Sequence, residues 1–392
     1  MENPKLMLIP SGYRSGNVYS ILPTDGVGDF DFSRNAPATR VNKDGLIETV
    51  NNDVPRLDWL NSDCPSLLLE PQRTNEFSYS EDFTNSYWYK QDCSITSNQI
   101  FSPDGNLTAD LMTATSNNGT FFSFNQWTTT TKTASFYLKK NTSTLIRIIN
   151  SSTGENITFN LDSGVVQSAS TGFEGDIISL NNGWYRVNTQ YQVSSGTSGL
   201  GLRIPISGES VYVWGAQIET ATYLTSYIKS TGVGTVTRQK DICINGGDAD
   251  LFNITEGTLF LDVTPYIYPS ANTYISLNDG GSSDRFVFIF QSYGTEVRLF
   301  GVSSGVNFLS NYQTITFNQK NKIAITFKQN EFKIYVNGLL KHTDTSGNVP
   351  IGLNQLDFTE HNGNRNFQGK VHNARVYDRV LTQAEAIELT TI

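Results

Sequence analysis

Apolar and polar residues alternate with a period of two along much of this chain. The alternation runs through residues 133–138, 157–161, 184–193 and 211–218, and a short apolar run fills 145–149. Period two puts successive side chains on opposite faces of a pleated strand, so one face of each segment is suited to burial. Turn residues stand between the runs, as where Asp162-Ser163-Gly164 turns the chain into Val165 and Val166. Strands about 8–12 residues apart with turns between them predict a sandwich, placed here over residues 76–240. A second set of strands covers 258–263, 285–290, 297–300, 322–327 and 332–336. Asn337-Gly338 then supplies both positive-φ positions of a two-residue hairpin turn, and Leu339-Leu340-Lys341 returns. Residues 250–392 are predicted as the second sandwich, with 241–250, containing Asn245-Gly246-Gly247-Asp248, as a linker. One helix is predicted, near the end, where Thr382 and Glu385 have capping-box spacing ahead of Ala386, Ile387 and Leu389.

Residues 1–75 read differently. Pro10, Gly12, Gly16, Pro23, Gly26, Gly28, Pro37, Gly45, Pro55, Pro65 and Pro71 cut them into short apolar pieces. They predict an extended arm with short hairpins, ordered by whatever it packs on. The fold class expected is therefore all-β: two antiparallel β-sandwich, jelly-roll domains preceded by an extended, turn-rich N-terminal arm. No heptad or collagen-like repeat encodes a long stalk.

Composition narrows the function. Charged residues make up 17% of the 392, against about 25% in an average protein. The net charge is −9, and no basic run exceeds Lys139-Lys140. A nucleic-acid groove needs clustered Lys and Arg, so no nucleic-acid partner is expected. The apolar run at Leu6-Met7-Leu8-Ile9 is too short for a signal peptide, and no stretch approaches the roughly 20 apolar residues of a membrane helix. No membrane partner is expected, and a cytosolic product is. Cys64, Cys93 and Cys243 form no CxxC pair and are expected as buried or inert thiols. Sequons at Asn106, Asn118, Asn141, Asn150, Asn156 and Asn253 follow from the abundance of Asn, Ser and Thr and are read as unmodified.

Catalytic chemistry is sparse. Glycosidic cleavage needs a carboxylate pair flanking the bond, and the nearest approach is Glu256 and Asp262, six residues apart across a glycine. Gly301-Val302-Ser303-Ser304-Gly305 matches a nucleophile elbow by letters, but its flanks read as strand and turn rather than strand and helix. His342, His361 and His372 lack metal spacing. The chain is expected not to be an enzyme and to need no cofactor, with calcium as one candidate ion. Asp25, Asp29 and Asp31, or Asn278 with Asp279 and Asp284, offer the oxygens a hard cation wants, but hydrogen-bonded turns are the favoured reading of each set. Sugars stack on aromatic rings and bond to Asn, Asp, Arg and Gln. Tyr87, Trp88, Tyr89, Trp127 and Trp184 are candidate rings in the first sandwich, although Trp184 and Trp214 also suit a core. In the second, the loop His361-Asn362-Gly363-Asn364-Arg365 is a candidate ligand contact or a solvated hairpin tip. Arg34, Arg40, Arg56 and Arg73 recur through the arm and are expected to dock it, on its own sandwich or a neighbouring subunit, since Arg pairs bidentately with carboxylates.

Two stretches carry a resemblance. The first is Phe32-Ser33-Arg34, Ala38-Thr39-Arg40-Val41-Asn42, Gly45-Leu46-Ile47-Glu48, Pro55-Arg56-Leu57-Asp58 and Leu67-Leu68-Leu69-Glu70-Pro71-Gln72-Arg73-Thr74-Asn75. It continues through Tyr79-Ser80-Glu81-Asp82-Phe83 and Trp88, then Trp214-Gly215-Ala216-Gln217-Ile218-Glu219, Thr225-Ser226-Tyr227-Ile228 and Thr237-Arg238. This set resembles structural proteins of tailed phages, notably those infecting Bacteroidetes hosts, including crAss-like phages. The resemblance implies a carbohydrate-binding-like jelly roll in the middle of the chain. The second stretch is Lys322-Ile323-Ala324-Ile325-Thr326-Phe327 with Phe332 through Gly338, then Phe367 through Val371 and Ala374 through Thr382. It resembles laminin-G-like, concanavalin-like sandwiches, which bind sugars, bind proteins or merely pack. Together they imply a virion-surface component, a head fibre, capsid decoration or tail appendage, assembled in the host cytoplasm as a homotrimer or homodimer. Its partners would be other virion proteins and host-surface or environmental glycans. A purely architectural role is the alternative.

Overall fold

The computed structural model describes residues 3–232, 234–252, 255–361 and 363–392, and it is all-β. Packing divides the chain into two units. The first sandwich takes Ala38–Thr49 and Arg73–Arg238; the second takes the residues up to Pro37, Val50–Gln72 and those from Gln239 onward.

The first sandwich is built from two six-stranded antiparallel sheets. One runs Tyr89–Gln91, Gly119–Trp127, Gly196–Ile204, Leu145–Asn150, Asn156–Asn160, Val165–Ala169. The other runs Cys93–Ile100, Ala109–Ala114, Ser210–Thr220, Thr130–Lys140, Trp184–Val193, Phe173–Ser179. Alternate residues of both sheets, among them Phe121, Phe136, Ile148, Phe159, Val187, Leu202 and Val213, meet in one core. Each such side chain contributes roughly 1.5–3 kcal/mol by leaving water.

The second sandwich sets an eight-stranded sheet against a five-stranded one. The larger runs Leu339–Asp344, Glu331–Val336, Asn321–Lys328, Glu256–Pro265, Gly369–Tyr377, Ser66–Leu69, Leu57–Asp58, with Leu6–Leu8 on the same edge of Gly369–Tyr377 as Ser66–Leu69. The smaller runs Val306–Thr314, Glu296–Ser303, Arg285–Phe290, Thr273–Asn278, Gln355–Asp357. Asn337 and Gly338, at φ 49° and 79°, make the expected hairpin turn. Ser304 and Gly305 also have positive φ and join two strands, so the GxSxG run is a hairpin and not an elbow. The helix Gln383–Thr390 starts with a complete capping box on Thr382 and Glu385. It lays Ala386 and Leu389 on Phe260, Ala324, Tyr335 and Tyr377, the outer face of the larger sheet.

The boundaries read from sequence, 1–75, 76–240 and 250–392, do not follow the packing. Leu6, Leu8, Phe30, Phe32, Leu57, Leu67 and Leu69 from the expected arm sit in the core of the second sandwich, while Ala38–Thr49 belongs to the first. Residues 241–250 are no linker. Ile242–Ile244 pairs with Phe30–Ser33, Asp241 and Cys243 are buried, and Ala249–Phe252 is helical. Gly246 serves packing rather than flexibility: a Cβ there would lie 2.2 Å from the Phe30 ring.

Each sandwich holds one buried polar clasp. In the second sandwich Arg56 Nη1 donates to Glu70 at 2.6 Å and Nη2 donates to Asp241, while Arg34 Nη1 donates to Asp241 Oδ1 at 3.1 Å. Arg34 also bonds the carbonyls of Ala36, Asn51 and Val54. Burial alone would lower the Arg56 pKa, but Asp241 and Glu70 outweigh it and raise it. Arg34 and Arg56 therefore reach no surface, and the docking role expected of them becomes an internal one. In the first sandwich Asn75 Nδ2 donates to the carbonyls of Ala216 and Ile228 at 3.1 and 2.8 Å. There Gln217 accepts from Ile228 N, Glu219 from Thr225 N, and Arg238 donates to Ser226.

Candidate functional site

Each sandwich has one outer sheet face covered by its own chain. In the first, Ile47 of the hairpin Ala38–Val41 and Ile47–Val50 packs with Tyr227 on Tyr137, Trp184 and Trp214. The terminal helix does the same in the second. The other outer face of the second sandwich, on its five-stranded sheet, collects the chemistry. Tyr274, Ile289, Arg298 and Tyr312 are direct partners across four strands, so their side chains form one row. Tyr274 and Ile289 of this row make a small apolar patch with Val287, and Phe300 packs against it.

Arg298 dominates this face. Its guanidinium lies 4.5 Å from the Phe300 ring centroid and 5.5 Å from that of Tyr312, and its Nε donates to Ser310 Oγ at 3.0 Å. No carboxylate pairs with it among the described residues, so its terminal nitrogens remain as donors. Tyr312 is 48% exposed and offers an open ring.

The loop singled out in the sequence lies on the same sheet face. Glu360 N bonds to Asn364 O and Gly363 N to Glu360 O, both at 2.9 Å, which closes a tight turn. Arg365, at φ 52°, then stacks its guanidinium 5.3 Å from the Tyr274 ring and donates to Tyr274 Oη at 3.1 Å. Arg285 Nη1 donates to His361 Nδ1 at 2.6 Å. Arginine has no acceptor, so His361 is held as the Nε2–H tautomer. Glu360 lies 3.4 Å from Arg285 and 3.5 Å from Arg365. Asn362 lies outside the described residues. His361, Asn364 and Arg365 are thus brought near Arg285, Glu360 and Tyr274; the sequence reading passed over Tyr274 and Arg285 because they stand on strands, and Glu360 because it only adjoins the loop. The alternation of Arg298, Phe300 and Tyr312 with core residues was the signal that could have found the face.

Other candidates fall elsewhere. Trp88 is 0% exposed, its ring 5.4 Å from both Phe83 and Phe121, so it presents no face to a sugar. Trp127 is 6% exposed, with Lys132 Nζ 4.4 Å over its ring. Arg40 pairs with Glu48 at 3.3 Å across its hairpin, and Arg73 lies 5.1 Å from the Tyr223 ring. Cys64 is exposed, Cys93 half-buried and Cys243 buried. Asp284 Oδ1 already accepts from Ser304 N and Ile351 N, and Asp279 Oδ1 from Gly281 N. Among the described residues no three His, Cys, Asp or Glu side chains are grouped to hold a metal. Asp29 and Asp31 are bonded to Ser20 and Asn245, again as turn and strand fasteners.

The first sandwich also has a cleft of about 400 Å³ beneath its hairpin. Its polar groups bond chiefly to one another: Glu81 to Tyr227 and Lys229, Asp104 to Ser102 and Asn106, Asn42 to the amides of Asp44 and Leu46. Asp110, beneath the same sheet, accepts from Phe83 N and Asn98 N; burial pushes its pKa up to about 6. These groups hold the fold.

Residues 261–386 match the model of the concanavalin A-like lectin/glucanases superfamily, and no curated protein matches the chain. Among solved structures, the CBM40 of the Ruminococcus gnavus IT-sialidase bound to α2,3-sialyllactose is 19% identical; the match covers 37% of this chain and 86% of that one, with a TM-score of 0.32. Domain 4 of AbnA, a GH43 extracellular arabinanase from Geobacillus stearothermophilus in complex with arabinotriose, is 17% identical over 43% of this chain and 82% of that one, with a TM-score of 0.33. These likenesses are too slight to bear on what this chain binds. No described helix is long and apolar enough to cross a membrane.

Proposed function

We propose that this chain is a non-catalytic, glycan-binding structural protein of a tailed-phage virion, displayed as a head fibre, capsid decoration or tail appendage. The observation that carries the binding role is Arg298, a guanidinium seated between two aromatic rings with no carboxylate in ion-pair contact among the described residues. Tyr312 supplies an apolar face for a sugar ring, while Arg298 and Ser310 supply hydrogen-bonding groups for hydroxyls. The carboxylates described on this face are each engaged: Glu360 has both oxygens near arginines, Glu296 accepts from Tyr293 Oη, and Asp357 accepts from Asn278 Nδ2 and Asn245 N. Glycosidic cleavage needs two carboxylates across the bond, so binding without cleavage is the reading this chemistry supports.

The virion role rests on the resemblance to tailed-phage proteins over residues from Phe32 to Arg238, a stretch that includes the clasp side chains other than Asp241. In a virion, homotrimers or homodimers anchored to other virion proteins would repeat a shallow site many times, and multivalency raises avidity by 10²–10⁴ without new contacts, an order-of-magnitude gain. Assembly in the host cytoplasm agrees with three free thiols. The test is a glycan array probed with the purified chain and with R298A/Y312A, beside an assay for released reducing ends. Binding by the wild type, its loss in the variant and no reducing ends are expected. Silence on every glycan would favour the architectural role, and reducing ends would make the chain an enzyme.

A further inference from the structure

The first sandwich has an open face of its own, on the sheet that ends at Tyr89–Gln91 and Val165–Ala169. Phe121, Leu202, Ile148 and Ile157 point from this sheet to the core, so the residues between them point outward. The pairings Gln91–Thr120, Thr120–Arg203, Arg203–Arg147, Arg147–Thr158 and Thr158–Ser168 make one row across all six strands, and every member is polar. Two residues along, Tyr89 pairs with Phe122, and Phe124 lies beyond. The Tyr89 and Phe124 rings stand 5.2 and 4.9 Å from Phe122 and are 54% and 55% exposed. Gly201, opposite Phe122, leaves no room for a side chain, since a Cβ would lie 1.9 Å from Phe121 O. The surface is therefore flat beside the rings.

Arg147 and Arg203 are direct cross-strand partners at the centre of the polar row. Like charges so placed repel. Arg203 Nε donates to Thr120 Oγ1 at 2.8 Å, and Arg147 Nε is buried with no hydrogen-bond partner. Burial first, and then the Arg147 charge, lower the Arg203 pKa, and no acid offsets them. Two adjacent cations without a carboxylate leave room for an anion from outside, and guanidinium forks suit a carboxylate. The rings lie about 7 Å away along the strands, a span that joins a stacked sugar to an acidic neighbour.

We infer that this face binds an acidic, uronate-type oligosaccharide, with a carboxylate at Arg147 and Arg203 and a sugar ring on Tyr89 and Phe124. The site lies in the other sandwich from Arg298 and stands or falls separately. Titration calorimetry of the full chain with tetragalacturonate, its carboxyl-reduced counterpart and sulfate tests it. The reduced sugar is expected to bind at least tenfold more weakly, and so is tetragalacturonate to R147Q/R203Q, whose thermal midpoint stays level or rises as the repulsion goes. Y89A/F124A, at exposed positions, is expected to weaken binding as well. Equal binding of the reduced sugar, unchanged affinity in either variant, or sulfate binding as tightly as the tetrasaccharide would overturn the inference.

Discussion

Arg34 donates to Asp241 across 3.1 Å, although the two lie 207 residues apart and both side chains are wholly buried. The second oxygen of Asp241 takes Arg56 and the amide of Glu70. One carboxylate thus ties together three segments of the second sandwich. Removing one partner of a buried ion pair strands the other charge, at about 3–5 kcal/mol. D241N, which leaves two guanidiniums with Glu70 alone, is expected to lose stability of that order in urea unfolding; an unchanged midpoint would show that the clasp does not hold the fold.

Trp88 and Tyr312 are expected to separate folding from binding. W88A empties a core position and should cost about 3–5 kcal/mol. Y312A changes an exposed ring and should stay within about 0.5 kcal/mol of the wild type. Denaturant unfolding of both variants checks this, and the reverse order would mean that the core is misplaced.

His372 should make stability depend on pH. Its Nε2 lies 3.0 Å from Thr264 Oγ1; burial first, and then Lys320 and Lys370, push its pKa down to about 4. The unfolded chain takes this proton near pH ~6.5. Between those values the unfolded state binds more protons, so this group's contribution falls as pH drops through the window. Asp110, raised to about 6, acts with the opposite sign, because there the folded state holds the proton. The measurement is therefore the difference between wild type and H372N from pH 7 to 4, expected to shift in favour of H372N as acid is added. A constant difference would contradict the assignment.

Adding EDTA or millimolar calcium is expected to leave the thermal midpoint where it is, because the oxygens of Asp279 and Asp284 already serve backbone amides. An ion that binds only the native state raises its stability by RT ln(1 + [L]/Kd), so a calcium-dependent rise would overturn this.

Period-two patterning located the strands because burial on one face imprints it directly; Trp184–Val193 and Arg285–Phe290 have the observed ends. Local turn and capping chemistry was as plain, at Asn337-Gly338 and at Thr382 with Glu385. What failed was everything set by distant partners. Gly196–Ile204 carries three glycines and was not among the predicted strands, yet pairs along its whole length with Gly119–Trp127. Asp241 looks like a linker residue until Arg34 and Arg56 arrive from elsewhere in the chain. Trp88 was a plausible sugar platform because an isolated Trp does not reveal which way its strand end faces. The loop at His361 was legible as polar punctuation, whereas Arg298 and Tyr312 came together only once two strands lay side by side.

Glycan binding through the Arg298 face is the central claim, and its most direct measurement is a binding isotherm for the glycan that the array selects, run on wild type and R298A/Y312A. At least a tenfold loss of affinity, about 1.4 kcal/mol, with an unshifted thermal midpoint is expected. Equal affinity in the two proteins, or no glycan bound by the wild type, would contradict it.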